Sequence, residues 1–155
     1  MNSITNKKNT DFSWKVYWKE HMSDMNLFGA YVFYHAKDDV EYRCDLMSPG
    51  TVIKEWHSKT NFQSSAIEPS LPMIDGERQY RISLSASKNT DNRLIMRLVF
   101  FDRYDYEICD YIVRDKEGIF KCPLNTFSYD IQLINSGIQS FHFYYITISE
   151  IEDEQ

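Results

Sequence analysis

Several side chains of this 155-residue chain are of types that could do chemistry. His57 precedes Ser58, a base beside a hydroxyl. Successive residues of an extended chain point to opposite faces, which places the two badly for passing a proton between them. Asp102, Arg103 and Asp105 sit on a turn, where two carboxylates could act as acid and base or hold calcium. The twelve-residue ligand ladder of an EF-hand is missing, and the plainer reading is a solvated turn with Arg103 pairing an aspartate. The thiols Cys44, Cys109 and Cys122 form no Cys-x-x-Cys pair, and His21, His35, His57 and His142 match no zinc spacing. Cys122, before Pro123, has no base beside it. Neither a Gly-x-Ser-x-Gly elbow nor a glycine-rich phosphate loop occurs. The expectation is therefore a binding protein rather than an enzyme, with no catalytic residues, no metal and no cofactor.

Pro49 to Gln63 is the stretch best suited to binding. It opens on a Pro-Gly turn signal, carries Trp56 between Glu55 and His57, and continues through hydrogen-bonding side chains to Phe62. Trp56, His57, Lys59, Asn61 and Phe62 are the candidate partner- or sugar-binding residues. Flat rings give large contact area at low entropy cost, against sugar C–H faces or against another protein. The chain is 15% aromatic, and Tyr31, Phe33, Tyr104, Tyr111 and Tyr144 are further candidates for an exposed face. The alternative is that the rings fill the inner faces of a sandwich, with Trp56 plugging its end.

These residues need a scaffold, and the scaffold reads as β. Trp14, Val16 and Trp18 alternate with polar residues at the period of two that marks a half-buried strand. Leu27 to Ala36, rich in Tyr, Phe and Val, is a better strand than helix. Across the Asp38-Asp39 turn it makes a hairpin with Val40, Tyr42, Cys44 and Leu46. Thr51 to Trp56 alternates poorly, with adjacent apolar Val52-Ile53 and adjacent charged Lys54-Glu55. Ser58 to Pro72 reads as irregular chain, because Glu68-Pro69 and Leu71-Pro72 disfavour helix. Alternation returns at Tyr80 to Ala86 and Phe127 to Leu133; Leu94 to Phe101 has one apolar face and one mixed, and Tyr106 to Val113 and the short Ile119 to Lys121 are further strands. After the Asn135-Ser136-Gly137 turn comes Ile138 to Ser149, with Phe141, Phe143 and Tyr145 opposite His142, Tyr144 and Ile146. About ten strands without a helix, spaced by turns, predict an all-β antiparallel sandwich of the jelly-roll kind, similar to carbohydrate-binding modules. Strands apolar on both faces (Leu27 to Ala36, Arg93 to Phe101, Ile138 to Ser149) suggest a sheet covered by another subunit.

The domain reading is a disordered tail at 1–12, a single sandwich at 13–149 and an acidic tail at 150–155. A net charge of −6 and a pI near 5.2 argue against nucleic acid, which needs clustered Lys and Arg. No apolar run approaches the length of a membrane span, and the polar N-terminus lacks the h-region of a secretory signal. Free thiols fit a reducing compartment, so a cytoplasmic location is expected.

Pro49-Gly50-Thr51, Ile53, Trp56, Ser58, Thr60-Asn61-Phe62 and Leu71-Pro72, in that order and spacing, resemble the signature of the third accessory secretory protein family of the accessory Sec system. The resemblance continues through Tyr80, Phe100-x-Asp102-Arg103, Phe120, Pro123, Ser128-Tyr129, Leu133 and Asn135-x-Gly137, spanning roughly Val16 to Ile148. Phe62 stands where Tyr is expected. The resemblance implies a non-enzymatic subunit that assembles with the first and second accessory secretory proteins. It also implies work with the accessory SecA motor at the inner face of the plasma membrane, in export of glycosylated serine-rich-repeat adhesins. Protein partners come first, the adhesin's glycan second, and membrane contact is peripheral.

Overall fold

The strands fall where side chains alternate, and the exceptions are bulges. The computed structural model describes residues 13–19, 29–46, 48–59, 71–90 and 93–152. Ten strands follow in order: β1 (Ser13–Val16), β2 (Tyr31–Ala36), β3 (Asp39–Arg43), β4 (Val52–His57), β5 (Gln79–Ala86), β6 (Leu94–Phe101), β7 (Glu107–Val113), β8 (Glu117–Lys121), β9 (Ser128–Asn135) and β10 (Ser140–Ile151). The only helical element among the described residues is a 3-10 turn at Lys88–Thr90. One sheet runs β2-β3-β10-β5-β8 with β1 also on β10, and the other runs β4-β9-β6-β7. All pairings are antiparallel. Only β1–β2, β2–β3 and β6–β7 connect strands of one sheet, and every other connection crosses to the other sheet. That wrapping bears out the expected all-β sandwich. It also places the two inner faces against each other, as stacked sheets require.

Tyr80, Ile82 and Leu84 of β5, Leu94, Met96, Leu98 and Phe100 of β6, and Tyr129, Ile131 and Leu133 of β9 all point inward and are buried, as their period predicts. β4 and β10 depart from it. In β4 the register shifts between Val52 and Lys54. Ile53 is thus an extra residue, and Ile53, Lys54 and Trp56 are all buried. The poor alternation of this strand is the trace of that bulge, since one added residue reverses the facing of everything after it. In β10 the register shifts between Phe143 and Tyr145. Phe141 and Phe143 therefore face the core together with Ile146 and Ile148, while Tyr145 turns outward. This corrects the expected grouping of Tyr145 with the two phenylalanines.

Other corrections lie at strand ends. β3 stops at Arg43 and leaves Leu46 89% exposed. β10 extends to Ile151, with Glu150 paired to Arg78 at 2.6 Å, so the strand takes two residues expected in the acidic tail. Residues 27 and 28, read as strand, lie outside the described residues, as do 1–12 and most of the Ser58 to Pro72 connection.

Much of the aromatic content is structural. Trp56 of β4 stacks on Phe143 of β10, centroids 5.4 Å apart, and Trp18 meets both Phe143 and Trp56 edge-on. A second group joins Tyr80, Phe120, Phe100 and Tyr129 across the sheets. Lys54 is buried between the first group's rings, its ammonium 5.7 Å from Trp18 and 5.9 Å from Trp56.

The thiols give a direct check on burial. Cys44 and Cys122 are buried and Cys109 is exposed on β7. Desolvation and the neighbouring Asp110 and Glu107 carboxylates push the Cys109 thiol up, which lowers its thiolate fraction at neutral pH. Since the thiolate is the nucleophile, one cysteine per chain is expected to react with a thiol reagent under native conditions. It should react slowly at neutral pH and faster in alkali, and all three should react once the chain is denatured. Two fast native thiols would contradict the core described above.

Candidate functional site

The outer face of the four-stranded sheet carries a ladder of polar contacts fixed by register. Glu55 pairs with Gln132 and His57 with Asp130 across β4 and β9, and Arg97 of β6 lies beside Gln132. The Gln132 amide donates to Glu55 at 2.8 Å. Arg97 donates to Gln132 at 3.2 Å and to Asp110 of β7 at 2.8 Å. His57 Nδ1 lies 2.9 Å from Asp130 Oδ1. All four strands are thus stitched together on one surface. The His57–Asp130 pair has the look of part of a catalytic triad, but the adjacent hydroxyl is committed elsewhere: Ser58 Oγ accepts the Tyr129 N–H at 2.9 Å. The ladder's polar groups meet one another, so an incoming ligand would have to break existing hydrogen bonds for each one it gained.

One end of the sandwich is built differently. The chain leaves β4 through Ser58, whose N–H donates to the Tyr129 carbonyl at 3.0 Å, and rejoins at Leu71, whose N–H donates to the His57 carbonyl at 3.2 Å. The buried Tyr129 hydroxyl donates to Pro72 O at 2.6 Å, and burial pushes its ionisation far above the usual phenol range. Both ends of the 60–70 segment are therefore anchored at the same place. Beside them lie the β6–β7 and β8–β9 loops. Asp102 Oδ1 accepts the N–H groups of Tyr104 at 2.8 Å and Tyr106 at 3.0 Å, a side-chain-closed turn. In the other loop Thr126 Oγ1 donates to Pro123 O at 2.8 Å, and Phe127 N–H ties it to Phe101 O at 2.7 Å. Between the two loops is a cavity of about 470 Å³ lined by Asp102, Arg103, Tyr104, Asn125, Thr126 and Phe127. Tyr104 and Tyr106 are 71% and 70% exposed, and Leu124 and Phe127 are also open to solvent.

The expected site residues distribute unevenly. Lys59 reaches this end: its ammonium is 3.4 Å from Asp105 and 5.3 Å from the centre of the Phe127 ring. Asp105 is partnered by Lys59 rather than by Arg103, which corrects the expected Arg103 pairing, and Asp102 caps its own turn. His57 lies on the sheet face, in the ladder. Trp56 is completely buried, and its indole N–H donates to Tyr17 O at 2.9 Å. It is a core plug and offers no surface to a partner. Asn61 and Phe62 lie outside the described residues. Tyr106, Leu124 and Phe127 were missed as exposed candidates. The sequence pattern makes Tyr106 and Phe127 the first residues of strands, but β7 begins at Glu107 and β9 at Ser128, which leaves both rings in the loops; only Leu124, after Pro123, has a turn-like signal. Of the aromatics expected outside, Tyr31, Phe33 and Tyr104 are exposed, while Tyr111 packs against the core.

A family model described as Accessory Sec secretory system ASP3 matches residues 25–150. The accessory Sec system ASP3 protein of Streptococcus gordonii is 32% identical over 128 residues, 83% of this chain and 80% of the relative. Among solved structures, a chain in the crystal structure of accessory secretory protein 1, 2 and 3 of Streptococcus pneumoniae superposes with a TM-score of 0.83 and 28% identity, over 89% of this chain and 96% of that one. A chain of the Glycosylation Associate Protein (Gap123) complex of Streptococcus agalactiae gives 0.84 and 27%, over 92% of this chain and 46% of that one.

Proposed function

Because this chain belongs to the Accessory Sec secretory system ASP3 family, we propose that it is a scaffold subunit without catalytic activity, binding the first and second accessory secretory proteins. The complex would act with the accessory SecA motor at the cytoplasmic face of the membrane to export serine-rich-repeat adhesins. The observation that carries this reading is the anchored loop end, where Tyr104 and Phe127 line a cavity and Tyr106 and Leu124 stand exposed on the same two loops. Rings held on rigid, hydrogen-bonded loops lose little entropy on contact and serve as interface anchors. The saturated ladder on the sheet face has no such advantage.

Co-expressed with the first accessory secretory protein, the chain is expected to co-elute from a sizing column. Tyr104→Ser with Phe127→Ser should weaken the complex at least tenfold, about the loss of one interface anchor, and leave the circular dichroism spectrum unchanged. Separate elution of the unmodified proteins would overturn the reading. A second reading, recognition of the adhesin's glycan, is favoured by the Tyr104 and Phe127 rings beside the hydrogen-bonding Asn125 and Thr126 in the same cavity. Calorimetric titration with a glycosylated repeat peptide should then give heat that Tyr104→Ala abolishes, and equal heat from both proteins would count against it.

A further inference from the structure

β10 is served along one edge by two strands set end to end. β3 pairs with Ser140 to Phe143 and β1 with Ile146 to Ser149. The β10 bulge falls at the junction. The sheet edge is interrupted there, and the interruption opens a pocket of about 330 Å³ lined by Tyr17, Lys19, Tyr34, Ala36, Lys37 and Val40. Val40 is buried and makes an apolar floor, and the rim holds two phenols and two ammonium groups. No carboxylate is among the described lining residues. Asp39, next to the hairpin turn, is engaged by His142 at 2.7 Å. Lys37 Nζ lies 4.5 Å from the centre of the Tyr17 ring, Tyr17 meets Tyr145 edge-on, and Lys15 Nζ lies 4.4 Å from the centre of the Tyr145 ring. The aromatic rings thus hold cations at this place without neutralising them. Lys19 and Lys37 form no ion pair among the described residues. In a chain of net charge −6, two cations at one pocket, without an ion pair among the described residues, are a local reversal of sign.

We propose that this pocket binds a phosphate monoester. Such a group carries a charge of about −1.5 to −2 at neutral pH and presents three acceptor oxygens, matching two lysines acting as point charges and a phenol hydroxyl. The volume suits a compact head group and falls within the range of small-molecule sites. The phosphate could be carried by a soluble metabolite or by a lipid head group.

The test is amide chemical-shift titration of the full 15N-labelled chain with glucose 1-phosphate, with glucose, and with vesicles containing phosphatidic acid. Saturable shifts or line broadening centred on Tyr17, Lys19, Tyr34, Ala36 and Lys37 are expected with glucose 1-phosphate or with the vesicles, and which of the two acts identifies the source. Lys19→Gln and Lys37→Gln should each weaken binding about tenfold, the loss of one charge-assisted hydrogen bond. Lys121→Gln, on β8 at the opposite edge of the sheet, should not. Flat titrations with both phosphate sources, equal shifts with glucose, or equal weakening by Lys121→Gln would each overturn the proposal.

Discussion

Replacing Trp56 with alanine is expected to lower unfolding free energy by about 3–5 kcal/mol, the usual cost of deleting a buried large aromatic side chain. A typical margin for a domain is about 5–15 kcal/mol, so the variant should be marginal or unfolded at physiological temperature. The ring is fully buried, stacked on Phe143 and edge-on to Trp18, and so joins β4 of one sheet to β10 of the other. Its N–H also holds Tyr17 O at 2.9 Å, fixing the chain just after β1. Urea denaturation followed by tyrosine fluorescence and circular dichroism reads the loss. Trp56→Phe keeps most of the packing and drops the hydrogen bond, so it should lose less than half as much. A Trp56→Ala protein within about 1 kcal/mol of the original, the size of a single hydrogen bond, would show that the ring is not a core element. It would also reopen Trp56 as a surface residue.

Asn135→Ala is expected to cost about 3 kcal/mol, since it strands two backbone donors and an unmade buried hydrogen bond costs about 1–3 kcal/mol. Asn135 is buried at the end of β9, and its Oδ1 accepts the N–H groups of Gly137 at 2.9 Å and Ile138 at 2.8 Å. The turn it closes includes Gly137 at φ +110°, a backbone conformation that only glycine adopts readily. Without the side-chain acceptor, the entry into β10 is left to that one glycine. Asn135→Asp keeps both acceptor contacts and should recover part of the loss. If the alanine variant unfolds at the same urea concentration as the original, water replaces the side chain and the turn is not a determinant of stability.

Strand placement was open to inspection wherever a strand stayed in phase. β5, β6 and β9 show apolar side chains at every second position, and burial follows that pattern residue by residue. Bulges were open to it only in part. The broken alternation around Ile53 is a trace of one, Tyr144 leaves none, and in both cases the position of the extra residue is fixed only by the partner strand's register. The consequence for the site was direct. The phase change after Ile53 sends Trp56 inward, away from the surface on which a contact residue was expected. The ladder through Glu55, Arg97, Asp110 and Gln132 joins residues from four strands. Alternation says that each faces outward, but which of them meet depends on strand order, and that follows from the sandwich wrapping rather than from local sequence. The exposed Leu46 and Phe127 show the same limit at strand ends: they lie three residues past the end of β3 and one before the start of β9, where an apolar residue has little to pack against.

β10 is twelve residues long and lies between β5 on one side and β3 with β1 on the other. All of these neighbours precede it in the chain. While the ribosome is still making residues 1–139, β1 and β5 have no common partner, and the β2–β3 hairpin has no sheet to join. The four-stranded sheet and the β5–β8 pair involve only strands made earlier, but isolated hairpins are marginal in water, so β1 and the β2–β3 hairpin stay undocked until Ser140 to Ile151 emerges and closes the six-stranded sheet in one late step. Non-local closure of this kind is intrinsically slow. The interval between synthesis of β9 and arrival of β10 is thus the period in which this polypeptide is most exposed to chaperones and proteases, and a partner that recognises only the completed sandwich meets it after translation of β10 rather than during it.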